Sequence, residues 1–233
     1  MERLARGHAL AALGSAQKPA VGVPAYLRWV NRPLGGRVAV EAAVVGATPN
    51  QLTAVSAALG AGGVLLIALG SGPWAPPLAA LLLLAGYVFD SADGQLSRIQ
   101  RRGGPAGEWL DHVVDGVRSP LVHVAVAVYL FRTGASPALI AVAALFSVLV
   151  SAWFLSQLLA EKLLPRPARS AEQSPSFADS LIKQPQDPST TYVIIGLLAV
   201  PVAFGIAYSA LFVWQLLVFA VSLRRKYRQL RSL

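Results

Sequence analysis

The sequence contains no cysteine, which excludes disulfide bonds and thiolate metal sites. Charged residues make up only 13% of the chain and aromatic residues 8%, while hydrophobic residues reach 55%. This composition is typical of a polytopic membrane protein and not of a soluble domain. The net charge is +9, yet no stretch interleaves basic with aromatic residues, so we expect contact with anionic lipid headgroups and none with nucleic acid.

Six apolar segments follow one another along the chain. They are Leu52–Leu69, Pro76–Phe89, Leu121–Phe131, Leu139–Leu159, Val193–Tyr208 and Leu211–Leu223. The second and third are too short to span alone, since a helix of about fourteen residues rises about 21 Å against a hydrocarbon core of about 30 Å. Both short segments end at a cluster of carboxylates, so we expect each helix to continue through it. The expected fold is an all-α integral membrane protein with six transmembrane helices.

Basic residues are concentrated in every second connection, and the alternate connections carry only Arg132. The basic residues of the charged connections and of the C-terminal end are Arg98, Arg101, Arg102, Lys162, Arg166, Arg169, Lys183, Arg224, Arg225, Lys226, Arg228 and Arg231. The positive-inside rule then predicts that both termini and the carboxylate cluster face the cytoplasm from the cell (inner) membrane.

The chain before the first span divides into two parts. Residues 1–24 are rich in Ala and Gly and are expected to be mobile. Residues 25–47 mix aromatic and aliphatic residues with arginines, which predicts an amphipathic arm on the membrane surface, with a solvated linker as the alternative. We expect the membrane domain at 48–224 and a basic cytoplasmic tail at 225–233. The Pro- and Ser-rich loop from Pro165 to Pro188 is interpreted as a connector, with a lid as the alternative.

Four carboxylates, two glycines and an arginine lie between the second and third apolar segments. They are Asp90, Asp93, Gly94, Arg98, Gly107, Asp111 and Asp115. On a helix, Asp90 and Asp93 share one face at i, i+3. Gly107, Asp111 and Asp115 share a face of the next helix at i, i+4, i+8. Four carboxylates brought together repel one another unless cations lie between them, and hard cations such as Mg²⁺ prefer oxygen ligands.

The spacing D-x2-D-G-x2-A-R-x8-G-x3-D-x3-D resembles the signature of the CDP-alcohol phosphotransferase (CDP-alcohol phosphatidyltransferase) family. Every gap matches, and the one departure is Ser97, where the family usually has Ala. The six-span layout, the amphipathic arm and the start of the first segment at Pro49, Asn50 and Thr53 are also similar. The resemblance implies a homodimeric enzyme that moves a phosphatidyl or other substituted phosphate group to an alcohol or sugar-phosphate acceptor. The implied donor is CDP-linked, commonly CDP-diacylglycerol, and CMP is released.

The resemblance also implies a role for each residue of the motif. The implied ligands of two Mg²⁺ or Mn²⁺ ions are Asp90, Asp93, Asp111 and Asp115. The implied donor-binding residues are Asp93, Gly94, Ser97, Arg98, Gly107 and Asp111. Asp115 is in addition the implied general base that takes the proton of the acceptor hydroxyl.

Arg118 lies outside the motif, seven residues after Asp111 and therefore on the same helical face. A cation placed this deep in a membrane helix needs a partner. Two interpretations stay open: Arg118 neutralises Asp115, or it binds a phosphate on the acceptor. Lys183, in the last cytoplasmic loop, is a second candidate for the acceptor phosphate, with an ordinary surface lysine as the alternative.

Other function classes are compatible with acidic membrane helices. An intramembrane prenyltransferase also uses Asp-rich helices and Mg²⁺, but it needs a second Asp-rich motif, which segments four to six lack. A non-enzymatic metal-binding scaffold or a transporter is the further alternative, although the chain shows no repeat typical of transporters. The motif does not specify the acceptor, so glycerol phosphate, inositol phosphate and other alcohols stay open.

Overall fold

The computed structural model describes residues 3–15, 17–164 and 176–233, and in these ranges the chain forms helices and no strand. The α-helices are α1 (Arg6–Ser15), α2 (Arg32–Val45), α3 (Pro49–Leu69), α4 (Ala75–Gln100), α5 (Pro105–Arg132), α6 (Pro137–Leu163), α7 (Phe177–Ile182), α8 (Pro188–Ile195) and α9 (Pro201–Arg231). A π-helical turn covers Leu27–Asn31, and 3-10 turns cover Gln184–Gln186 and Gly196–Ala199. The all-α prediction is confirmed.

Five of the described helices are long and apolar enough to cross a bilayer, namely α3, α4, α5, α6 and α9. A sixth apolar stretch, Pro188–Ala199, is shorter and rises only roughly 18 Å at 1.5 Å per residue. The helices α4 and α5 both continue through the carboxylate cluster, as predicted, and are separated only by residues 101–104. The chain is therefore an integral multi-pass membrane protein.

The expected break between the fifth and sixth apolar segments, at residues 209–210, is wrong. The helix α9 runs through Ser209 without a break, and the chain turns instead at Val200, whose backbone is not helical (φ −122°, ψ 82°). The reason is Pro201, which forces the preceding residue out of the helical region and then starts the next helix well. Fourteen residues later, the amide of Gln215 donates to the carbonyl of Pro185, 2.8 Å away, so α9 returns antiparallel to α8.

The helix α3 is the common support of the two motif helices. It packs against both α4 and α5, which make little backbone contact with each other. A capping box starts α3: the Thr48 hydroxyl accepts from the amide of Gln51, whose side chain accepts from the amide of Thr48. Arg101, in the left-handed region at φ 53°, then ends α4 and turns the chain toward α5. This arrangement leaves a space between the acidic faces of α4 and α5.

The amphipathic arm packs closely against the end of α4 that carries the motif. Gly35 on α2 lies so near this helix that a Cβ there would stand 2.9 Å from the Ser91 hydroxyl. Residues 1–24, which we expected to be mobile, include the helix α1, whose Ala9 is fully buried. The Gln17 amide also donates to Gln95, 2.8 Å away, which ties the residues after α1 to α4. Residues 165–175 of the predicted connector lie outside the described residues.

Candidate active site

Three of the four motif aspartates come together in space. Asp90 from α4 and Asp111 and Asp115 from α5 each offer a carboxylate oxygen within 4.8 Å of the others. All three side chains are partly buried. A compact set of carboxylate oxygens suits a hard divalent ion, so these residues fit the metal that the motif implies.

Asp93 is held apart from this trio by α3. Its carboxylate accepts a hydrogen bond of 2.6 Å from the Thr53 hydroxyl, and its side chain is buried. Asp93 nevertheless lines the same cavity as Asp111. The predicted convergence of four carboxylates is thus seen for three residues, and Asp93, three residues after Asp90 on α4, lies on the wall of the adjoining cavity.

Arg118 lies directly behind the trio and is only 8% exposed. Its guanidinium donates to Asp90 at 2.9 Å, to Asp115, and to the Ser56 hydroxyl at 2.8 Å. These contacts correspond to the first of the two interpretations, in which Arg118 neutralises Asp115. The two ion pairs offset the repulsion between the partly buried carboxylates of Asp90 and Asp115.

A cavity of about 760 Å³ opens between α3, α4 and α5 beside the aspartates. Its lining includes every residue to which the resemblance assigns donor binding: Asp93, Gly94, Ser97, Arg98, Gly107 and Asp111. At Gly107 a Cβ would meet nothing closer than Asn50, 3.7 Å away, so a side chain there would project into open space. At Gly94 a Cβ would lie 3.3 Å from the Arg98 guanidinium. Larger residues at either glycine would therefore reduce the room in this cavity, which we call the donor cavity after the role that the resemblance implies for its lining residues.

Several residues of the site were missed by sequence reasoning. Ser56 binds Arg118, and its only sequence signal is its position one helical turn after Thr53. Arg102 was interpreted as a topological charge, yet it lines the donor cavity together with Arg98. The roles of Ser56 and Arg102 depend on how α3 and the turn after α4 pack against the motif. The spacing of residues along the chain does not predict this packing.

Lys183, the second acceptor candidate of the sequence analysis, ends the short helix α7. Its ammonium lies 3.0 Å from the position that a Cβ would take at Gly22. Among the described residues that line the donor cavity, Lys183 does not occur.

A buried network links the arm, α4 and α8 at a point one turn before Asp90. The Tyr87 hydroxyl donates to Asp187 at 3.1 Å, and the same carboxyl group accepts from the amide of Ser189 at 2.9 Å. The Asn31 amide donates to the carbonyl of Tyr87 at 3.0 Å. Two other elements, the arm and the start of α8, therefore hold the helix that carries Asp90.

Comparison with known proteins agrees with this geometry. The sequence model of the CDP-alcohol phosphatidyltransferase family matches residues 46–222. A phosphatidylinositol phosphate synthase of Corynebacterium glutamicum is 31% identical over 167 residues, which cover 70% of this chain and 70% of that protein. The family match spans α3 to α9 and includes both motif helices. The chain therefore belongs to the CDP-alcohol phosphatidyltransferase family and is a phospholipid-synthesising transferase of substituted phosphate groups.

Proposed function

We propose that the protein transfers the phosphatidyl group of CDP-diacylglycerol to the hydroxyl of an alcohol or sugar-phosphate acceptor and releases CMP. The observation that carries the proposal is the trio Asp90, Asp111 and Asp115 at the edge of the donor cavity that the motif residues line. The relative from Corynebacterium glutamicum is named for a phosphatidylinositol phosphate product, which supports phosphatidyl transfer here.

The four aspartates are proposed to hold two divalent ions, Mg²⁺ or Mn²⁺. The support is the oxygen donor set of the trio and the presence of Asp93 on the wall of the same cavity. When bound, such ions supply positive charge to the donor diphosphate and to the oxygens of an in-line displacement.

The donor cavity is proposed to hold the cytidine diphosphate part of the donor. Arg98 and Arg102 place two cations on its wall, and a planar guanidinium suits bidentate contact with phosphate oxygens. Gly94 and Gly107 leave the wall without side chains, so that the nucleotide can approach the backbone of α4 and α5.

Asp115 is proposed to act as the general base. It takes the proton of the acceptor hydroxyl, whose oxygen forms a bond to the phosphatidyl phosphorus. The bond from this phosphorus to the oxygen shared with CMP breaks, and the electron pair leaves with CMP. Arg118 supports the base by holding the Asp115 carboxylate with an ion pair and by orienting it toward the reacting atoms.

The proposed orientation places both termini and the active site on the cytoplasmic side of the cell membrane. It follows from the basic residues at the motif end of α4 and at the end of α9. The protein is further proposed to act as a homodimer, as the family resemblance implies.

The test is CMP release from the full chain in detergent, with CDP-diacylglycerol, Mg²⁺ and a panel of acceptors. The panel contains glycerol, glycerol 3-phosphate, inositol, inositol 1-phosphate and serine. We expect acceptor-dependent release that falls at least about 100-fold in Asp115→Asn, because a positioned base contributes roughly 10²–10⁴ in rate. The matched control is Asp179→Asn on the exposed surface of α7, which should retain activity. Absence of release with every acceptor would overturn the proposal.

A further inference from the structure

A second, smaller cavity of about 230 Å³ lies between α5, α6, α8 and α9. Its lining residues are Ser119, Val122, His123, Val150, Trp153, Phe154, Gln157, Gln186, Pro188, Thr191, Tyr192 and Gln215. None of them belongs to the motif, and the function described so far does not use them. The cavity is assembled from four helices and is partly open, since Gln157 and Pro188 on its wall are exposed.

The helix α5 connects this cavity to the aspartates. Asp111 lines the donor cavity, whereas Ser119 and His123 line the second one. Asp115 lies between them on the same helical face, four residues from Asp111 and four from Ser119. The second cavity therefore lies one helical turn beyond the proposed base, away from Asp111 and the donor cavity, which is where we expect an acceptor hydroxyl to enter.

The polar groups of this cavity are uncharged amides and hydroxyls. Gln157, Gln186 and Gln215 come from three separate elements, and Ser119 and Thr191 add hydroxyls. Gln215 is held in the wall by its hydrogen bond to the carbonyl of Pro185. Amides and hydroxyls both donate and accept, so this lining suits a ligand that carries several hydroxyl groups.

His123 also lines the cavity but is already engaged. Its Nδ1 shares a hydrogen bond of 2.6 Å with the Tyr208 hydroxyl, and its ring stacks on Phe146. The remaining wall is apolar and aromatic, with Trp153 and Phe154 on α6. Such rings cover the C–H faces of a sugar-like ring while the amides bind its hydroxyls.

Within the described part of the chain, no lysine or arginine lines this cavity. Asp187, next to the lining residues Gln186 and Pro188, is a buried carboxyl group that offers no positive charge in either protonation state. Arg118, the cation nearest along α5, is held by Asp90 and Asp115. A phosphate normally requires charge-assisted hydrogen bonds, which the donor cavity provides through its arginines and the second cavity does not.

We infer that the second cavity binds the acceptor as an uncharged, polyhydroxylated alcohol and discriminates against the phosphorylated form of the same alcohol. The inference rests on the proposed function and narrows it to one class of acceptor. Selectivity arises because a phosphate placed among amides and a carboxyl group loses its water without gaining a cation.

The first test compares acceptors in matched pairs, with the full chain in detergent, CDP-diacylglycerol and Mg²⁺. The pairs are glycerol with glycerol 3-phosphate, and inositol with inositol 1-phosphate. In the pair that releases CMP faster, we expect the uncharged acceptor to have a kcat/KM at least about tenfold higher than that of its phosphorylated form. Equal or faster reaction of the phosphorylated member overturns the inference and leaves the proposed function intact. No CMP release with any acceptor overturns both.

The second test changes the side chain of Gln157 on the cavity wall. This residue lies on α6, whereas the motif lies on α4 and α5. Gln157→Leu should raise the acceptor KM about tenfold, as expected for one lost hydrogen bond, and leave the donor KM unchanged. Gln157→Arg should move the preference toward the phosphorylated acceptor by about tenfold. Gln229→Leu, on the exposed end of α9, is the matched control and should change neither constant. An unchanged acceptor KM in Gln157→Leu, with an unchanged preference in Gln157→Arg, contradicts the inference.

Discussion

Replacing Arg118 with glutamine should destabilise the protein when divalent ions are removed, and should make its stability strongly dependent on Mg²⁺. Arg118 is buried and contacts Ser56, Asp90 and Asp115. Glutamine can keep a hydrogen bond but carries no charge. The substitution therefore removes the cation that separates two carboxylates and leaves most of the packing in place.

The size of the effect follows from the geometry of the trio. The trio's ligand oxygens lie within 4.8 Å of one another, and two unit charges at that distance repel by about 3.5 kcal/mol at an effective dielectric constant of about 20. Removal of one partner from a buried ion pair typically costs about 3–5 kcal/mol, which agrees with this value. A divalent ion bound by the same carboxylates supplies the lost positive charge, so Mg²⁺ should restore most of the stability.

The assay is thermal unfolding of the purified protein in detergent, first with EDTA and then with Mg²⁺. We expect Arg118→Gln to unfold at a clearly lower temperature than the wild type in EDTA, and the difference to shrink in Mg²⁺. Arg132→Gln, at the far end of the same helix, is the control and should show no such dependence on Mg²⁺. If Arg118→Gln and the wild type respond equally to Mg²⁺, the argument that Arg118 offsets the repulsion between Asp90 and Asp115 is refuted.

Three further substitutions test other parts of the account. Gly107→Val should raise the donor KM at least about tenfold, because the valine side chain enters the donor cavity. The control is Gly62→Val, which has equally open surroundings but does not line that cavity, and it should leave the donor KM unchanged. Gly35→Val should lower the unfolding temperature, because its side chain overlaps Ser91 and overpacking costs about 1–3 kcal/mol; an unchanged temperature would contradict the close packing of the arm. Burial raises the pKa of Asp187, which lies outside the five spanning helices, so the folded state binds this proton more tightly than the unfolded chain does. Stability should therefore fall as the pH rises from about 4 through the raised pKa, and thermal unfolding across this range should show a smaller slope in Asp187→Asn.

The spacing of the motif predicted the core of the site because it depends on helical periodicity alone. Asp111 and Asp115 lie one turn apart on α5, and this relation holds wherever the helix is placed. The depth of Arg118, and its need for a partner, could likewise be predicted from its position seven residues after Asp111. The contact of Arg118 with Asp90, 28 residues earlier in the chain, could not be predicted, because it depends on how α4 and α5 pack against α3.

Features that depend on long-range packing were missed or misplaced. Residues 193–223 are predominantly apolar and uncharged, so hydropathy did not distinguish a turn at Ser209 from one at Val200. The signal for the turn at Val200 is the proline that follows it. The hydrogen bond from Thr53 to Asp93 joins residues 40 positions apart. The second cavity is likewise assembled from four helices, and Gln157 has no local pattern that marks it as a lining residue.

The most direct test of the central claim is to follow the acceptor oxygen through the reaction. The acceptor that gives the most CMP would be prepared with ¹⁸O in its hydroxyl groups and incubated with CDP-diacylglycerol, Mg²⁺ and the full chain. The lipid product and CMP would then be measured together by mass spectrometry. Attack of the acceptor hydroxyl on the phosphatidyl phosphorus predicts one CMP for each product lipid, with the label retained in the new phosphodiester. Release of CMP with unlabelled phosphatidic acid in place of that lipid would show that water is the acceptor, and would contradict the account.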